Sequence, residues 1–333
     1  FVRRGAALGV TDKARMKEIN QALAGLYTKF GQNVLTDEEE DALVLESEAD
    51  LAGLNAGLVE SYKASAEGRG LAGKWAIANT RSSMEPFLTY STRRDLREKG
   101  WRMWTSRGDK NGAADNKGVI RDILKLRAER AKLLGFASHA HWATDNNMAG
   151  TPDAAMALMM QVWEPAVARA REEIADMQKV ADAENAGFAI EAWDYRFYAE
   201  KVRKAKYDID DSEVKPYLQL GKLLEAMFWA SGELYGLAFS KVGDVPVYHP
   251  DVTVYEVTRE GKRVGLHFFD PYARGGKSSG AWMNAYRTQE RFREETTPIV
   301  SNNSNFVKAG AGQPVLISWD DASTLFPEFG HAL

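Results

Sequence analysis

The chain has 333 residues, 44% of them hydrophobic, and a formal net charge of −4, which suits about two globular domains at the usual 100–200 residues each. The acidic balance argues against a basic nucleic-acid-binding face, and no stretch approaches the roughly 20 apolar residues that span a bilayer. There is no cysteine, which excludes disulfides and thiolate metal ligands; this fits a reducing cytoplasm, with a periplasm as the alternative.

Helical periodicity dominates the first two thirds. Met16, Ile19, Leu23, Leu26, Tyr27, Phe30 and Val34 recur at three- and four-residue steps behind a cap expected at Thr11. The acidic run Asp37 to Asp41 reads as a solvated surface. Arg93 to Trp104 and Lys117 to Leu134 read as two further helices. Thr151-Pro152 opens a long one in the favoured cap-then-proline order. It reaches about Glu184, with Ala155, Leu158, Met159, Val162, Trp163 and Ala166 on its apolar face. Trp193 to Lys204 and Val214 to Tyr235 complete the helical body.

Near Val245 the texture changes. Val252 to Thr258 alternates and is β-branched, Arg259 to Lys262 supplies a turn, and Arg263 to Phe269 alternates again, which predicts a hairpin. Gly275 to Gly280 reads as a flexible loop and Pro314 to Trp319 as a short strand. Asp320-Asp321 offers a cap for a last helix. The expected domains are residues 1–244, a helical body, and 245–333, a small sheet with the start of that helix.

The last helix carries the most specific chemistry, in the run LFPEFGHAL from Leu325 to Leu333. In the pattern H-E-x-x-H, two imidazoles one helical turn apart bind Zn²⁺ and the glutamate takes a proton from the metal-bound water. Glu328 and His331 stand where that pattern needs them, and Pro327 occupies the first histidine position. Proline has no donor for a metal. It also costs about 3 kcal/mol inside a helix, but is tolerated in a first turn. The other four histidines, His139, His141, His249 and His267, lie far from the motif and are expected to do structural work.

Several separated segments carry a likeness to a known family: LRAERAKLLGF (126–136), Met148-Ala149, WDYRFYAEKVRKAKYD (193–208), PVYHPDV (246–252), DPYARGGKSSGAWM (270–283) and LISWDDASTLFPEFGHAL (316–333). In this order they resemble the thimet oligopeptidase family of zinc metallopeptidases, and within it the bacterial peptidyl-dipeptidase, or dipeptidyl carboxypeptidase, branch. The resemblance implies a mainly α, two-lobed protein around a deep channel, with a small β-sheet beside the zinc helix. It also implies one catalytic Zn²⁺, short peptides as substrates and release of C-terminal dipeptides. It makes Glu328 the general base and His331 a zinc ligand.

Family members extend beyond the zinc helix, where the third ligand lies, and before Phe1. The chain is therefore expected to be an incomplete part of the fold, inactive alone. A complementary C-terminal fragment is an expected partner, and otherwise the chain is a monomer. An endo-acting oligopeptidase and a non-catalytic pseudo-peptidase that binds peptides are the alternatives. Asp320 and Asp321 are expected to cap the zinc helix, with support of a histidine ligand as the alternative. Gly280, Ala281 and Trp282 loosely resemble the Asn-Ala-x-Trp edge strand that pairs with substrate backbone in thermolysin-like enzymes. They are candidate substrate-binding residues, and burial of Trp282 in the core is the equal alternative. The basic residues Arg203, Lys204 and Lys206 read as a solvated face, although an arginine there could grip a substrate carboxylate.

Overall fold

The structure, a computed structural model, describes residues 1–207, 211–308 and 313–333; Asp208, the last residue of the WDYRFYAEKVRKAKYD segment, lies outside them. The chain is mainly helical with a small sheet. It divides into two compact units: residues 1–79 with 87–202, and residues 80–86 with 203–333.

The first unit contains α1 (Val10–Glu40), β1 (Ala42–Leu45), α2 (Ala56–Gly68) and β2 (Trp75–Ala78). The helix α3 (Arg81–Tyr90) crosses the division. Then follow α4 (Arg94–Thr105), α5 (Lys117–Leu133), α6 (His139–Thr144), α7 (Pro152–Ala183) and most of α8 (Tyr195–Tyr207). The apolar stripe of α1 forms as its spacing predicts: Ile19 and Leu23 pack with Val119 and Ile123 of α5. The helix starts at Val10 behind Gly9, so its cap lies two residues before the one expected at Thr11.

The acidic run is not a solvated surface at its start, because Asp37 and Glu38 are buried. Asp37 accepts the Gly108 amide at 2.7 Å, and Glu38 pairs with Arg107. Burial of these carboxylates is tolerable only because donors meet them. A second buried carboxylate, Asp194, accepts Arg97 Nη2 and Arg94 Nη2, each at 2.8 Å, and so ties α4 to the start of α8. The β1–β2 pair, antiparallel from Ala42↔Ala78 to Leu45↔Trp75, was not foreseen. Four-residue strands are too short to show an alternation that stands out from neighbouring helix.

Thr151 caps α7 as predicted, its side chain accepting the Ala154 amide at 3.2 Å. The expected apolar face, however, is not packed. Leu158, Met159, Val162 and Trp163 are exposed, and only the C-terminal end is buried, where Met177 and Ala181 meet Phe197 and Tyr198.

The second unit begins with α9 (Asp211–Val214) and α10 (Leu220–Tyr235). The single helix expected over 214–235 is interrupted at Lys215–Tyr217 by a 3-10 turn containing Pro216, which has no amide to continue an α-ladder. Five strands follow: β3 (Leu237–Val242), β4 (Thr253–Arg259), β5 (Lys262–Tyr272), β6 (Trp282–Arg287) and β7 (Ile299–Phe306); α11 (Trp319–Ala332) closes the chain. The predicted hairpin is β4–β5, paired from Val254↔Phe268 to Arg259↔Lys262 with a register shift between Val257 and Thr258. Its turn residues Glu260 and Gly261 have φ of 51° and 75°, the left-handed pair that matches the twist of the strands. The segment 314–319 makes only an isolated bridge, Leu316 to Gln219, rather than a strand.

The sheet order is β3-β4-β5-β7-β6, with β5 and β7 parallel and the other pairs antiparallel. Helices α10 and α11 pack on it through Leu220, Met227, Leu325 and Phe329, which share a core with Phe269 and Phe306. This places the last helix over the β7–β6 side of the sheet.

Candidate functional site

The helix α11 starts in a reciprocal cap. Asp321 N donates to Ser318 Oγ at 3.0 Å and Ser318 N donates to Asp321 Oδ2 at 3.3 Å. The cap is thus Ser318, with Asp321 completing the box, whereas the sequence suggested the aspartates themselves. Burial pushes the Asp321 carboxyl up from the ordinary aspartate range, against the pull of its two bonds to Ser318. Asp320 faces out and pairs with Arg81 at 3.1 Å.

Because the helix begins at Trp319, Pro327 lies well past the first turn. It removes one rung of the ladder, the bond to the Ser323 carbonyl, and the tolerated first-turn placement does not apply. The helix nonetheless runs on to Ala332. Ala322, Leu325 and Phe329 form its buried side. Glu328 is half-buried, and Pro327 and His331 are exposed. Glu328 and His331, three residues apart, share a face of the helix.

Beneath this turn lies a polar interior that sequence reasoning did not find. The β7 residues Ser301, Asn302, Asn303 and Ser304 are all buried. Their polar groups are matched locally. Asn303 Nδ2 donates to Ser301 Oγ at 2.9 Å and to the Trp282 carbonyl at 3.3 Å. Asn302 Nδ2 donates to the Glu328 carbonyl, and Asn302 Oδ1 lies 2.7 Å from His267 Nε2. His267 is buried among Tyr255, Phe228, Phe269 and Phe329. Burial pulls its pKa down from 6.5 to about 4, with the Asn302 bond acting the other way.

The loop before β6 is held rather than loose. Lys277 Nζ is buried and donates to Asp270 Oδ1 at 3.0 Å, and to the Asp270 and Tyr272 carbonyls at 2.8 and 2.9 Å. Asp270 also takes both arms of Arg274, at 2.6 and 2.8 Å. Burial by itself would raise the Asp270 carboxyl, but these cations hold it below the usual range. Asn305 Nδ2 donates to the Gly280 carbonyl at 2.7 Å. Gly280 has a φ of 97°, which an L side chain rarely adopts. Ala281 and Trp282 follow, half-buried, and Trp282 opens β6, an edge strand bounded on one side by β7. The helix α11 packs against both β6 and β7. The candidate substrate-binding residues and the candidate base and ligand therefore sit on neighbouring elements of one unit.

A catalytic zinc normally takes three protein donors. On α11 the ligand positions supply one imidazole, from His331, and no donor from Pro327. Among the described residues no group of three or more His, Cys, Asp or Glu side chains is arranged to hold a metal. The donor set of the described residues does not fit a catalytic zinc.

Glu-x-x-His on a helix is the latter part of the H-E-x-x-H pattern of zinc metallopeptidases, here with Pro327 in the first histidine position. Residues 87–333 match the model of Peptidase family M3, and the chain belongs to that family, the thimet oligopeptidase family of hydrolytic enzymes expected from its segments. It is 38% identical over 335 residues to dipeptidyl carboxypeptidase of Escherichia coli (strain K12), covering all of this chain and 49% of that protein. It is 31% identical over 340 residues to oligopeptidase A of Salmonella typhimurium, covering all of this chain and 50% of that one. Probable cytosolic oligopeptidase A of Arabidopsis thaliana is also 31% identical, over 352 residues, with 49% of its length covered. The chain spans about half the length of the curated relatives it matches. No helix among the described residues is long and apolar enough to cross a membrane.

Proposed function

We propose that this chain is part of a peptidase that releases C-terminal dipeptides from short peptides. The observation that carries the reading is Glu328 and His331 on one face of α11, packed against the edge strand β6. An extended peptide adds to such an edge through main-chain hydrogen bonds, which explains tolerance of sequence, and Gly280, Ala281 and Trp282 lie where it would enter. Glu328 is the proposed general base, a carboxylate that accepts the proton of the attacking water and passes it to the leaving amine. An endo-acting oligopeptidase uses the same groups and is the alternative, favoured by the names of the oligopeptidase A relatives. The cytoplasm is the proposed compartment, in keeping with the cytosolic relative from Arabidopsis thaliana.

Zinc is the cofactor of this reading, yet one imidazole does not make its site. We therefore propose that the 333-residue chain alone holds zinc weakly and cleaves nothing. Pro327 gives a second reading its support: a pseudo-peptidase that binds peptides without cutting. A complementary C-terminal segment of the same family is the proposed partner.

The test is zinc content and intact mass of the purified chain, with release of dipeptide from an N-blocked tetrapeptide read in the same sample. No stoichiometric zinc and no cleavage is expected for the chain alone, and stoichiometric zinc with turnover sinks the inactive reading. Pro327→His adds an imidazole one turn from His331 and should tighten zinc binding. Unchanged affinity in that variant would mean the helix does not present the pair.

A further inference from the structure

We propose that His267 and Asn302 form a strut that positions the Glu328–His331 turn of α11 on the sheet and carries the helix past Pro327. This rests on the reading of that turn as the reactive part of the chain.

The strut has three members and two bonds. Asn302, on β7, has its side-chain amide wholly buried. One end of that amide meets the Glu328 carbonyl and the other meets His267 Nε2. A carbonyl only accepts, so the Asn302 NH₂ must face Glu328 and its oxygen must face the histidine. The oxygen in turn only accepts, so His267 must carry its proton on Nε2. Nδ1 has no hydrogen-bond partner, as suits a bare nitrogen in an aromatic cage. The Glu328 carbonyl thus fixes the direction of both bonds, and a neutral histidine meets them in one tautomer, with its proton on Nε2. The depressed pKa, about 4, keeps the ring in that state at neutral pH. Flanking rings hold the imidazole in place. Phe329, one residue after Glu328, lies 5.6 Å from it, and Phe228 lies 6.4 Å from it. These are centroid separations typical of packed aromatic pairs.

The placement matters because of the residue before it. Pro327 has no amide for the Ser323 carbonyl, so α11 loses a rung one residue ahead of Glu328. The Asn302 bond grips the chain at the next residue, from the sheet rather than from within the helix. His267 and Asn302 are positioning residues here; neither reaches the exposed side of the helix where His331 points.

The experiment uses the 333-residue chain and reads no activity, so the zinc and cleavage results that decide the peptidase reading leave this one untouched. Amide hydrogen exchange is followed at Phe329 to Ala332 in wild type, His267→Phe, His267→Gln and Asn302→Leu. Loss of one hydrogen bond corresponds to about tenfold faster exchange. That increase is expected in His267→Phe and Asn302→Leu, confined to this turn, while exchange near the Ser318 cap stays unchanged. His267→Gln retains an N–H donor and should restore protection. A folded His267→Phe with wild-type exchange in this turn overturns the strut. If the variants do not fold, the ¹⁵N ring signals of His267 in wild type decide. A proton on Nε2 supports the proposal, and a proton on Nδ1 with a bare Nε2 overturns it.

Discussion

His267 shows how a single buried group couples this fold to pH. Its folded-state pKa is about 4, against 6.5 for a free imidazole. Between those values the unfolded chain binds a proton that the folded chain does not, so stability rises with pH there. A contribution fully present above pH 6.5 is lost as the pH falls toward 4, and amounts to about 3 kcal/mol for a shift of this size. Urea midpoints measured at pH 7, 5.5 and 4 should fall in wild type more steeply than in His267→Phe. Equal slopes would mean that the ring is not held neutral. Asp270 illustrates the opposite balance: burial disfavours its charge, yet Arg274 and Lys277 keep it ionised, and the pair-up fixes the loop from which β6 starts.

At the scale of elements, α11 is the unusual one. A proline inside a helix costs about 3 kcal/mol, part of which the surrounding contacts absorb. Pro327→Ala restores a rung on an exposed side of the helix and should stabilise the chain by about 1–3 kcal/mol, seen as a higher denaturant midpoint. A lower midpoint would show that the local backbone has settled around the proline. The existence of this helix was legible beforehand, from the spacing of Glu328 and His331 in the motif, whereas its buried side, Ala322, Leu325 and Phe329, came from the fold. Its start was not legible, because Ser318 becomes a cap only through the reciprocal bond with Asp321. The strand β7 was illegible for a physical reason. Ser301 to Asn305 reads as loop by composition, and becomes a buried strand because His267, Glu328 and Trp282 supply partners from other elements.

At the scale of the molecule, the outstanding feature is an apolar helix side left in water. Leu158, Met159, Val162 and Trp163 of α7 are exposed, Trp163 at 62%. Exposed apolar surface of this kind marks an interaction site or an association liability. Sedimentation should therefore show concentration-dependent self-association of the isolated chain, reduced in a Met159→Glu, Trp163→Glu variant. A wild-type monomer at all concentrations tested would argue that this side needs no cover.

The sequence by itself determined what depends on neighbours along the chain. The Thr151-Pro152 start of α7, the β4–β5 hairpin with its Glu260-Gly261 turn, and the pairing of Glu328 with His331 on one helical face are local. Each follows from backbone preference or from periodicity. The tertiary structure decided what depends on distant partners. Asp37 and Glu38 left the surface because Gly108 and Arg107 met them. The Asn302 amide could be buried because His267 and the Glu328 carbonyl satisfied both of its ends. The apolar side of α7 stayed exposed because no other described element packs on it. A polar residue may sit inside or outside with equal local ease, and only the partner brought to it by the fold settles which state has the lower free energy.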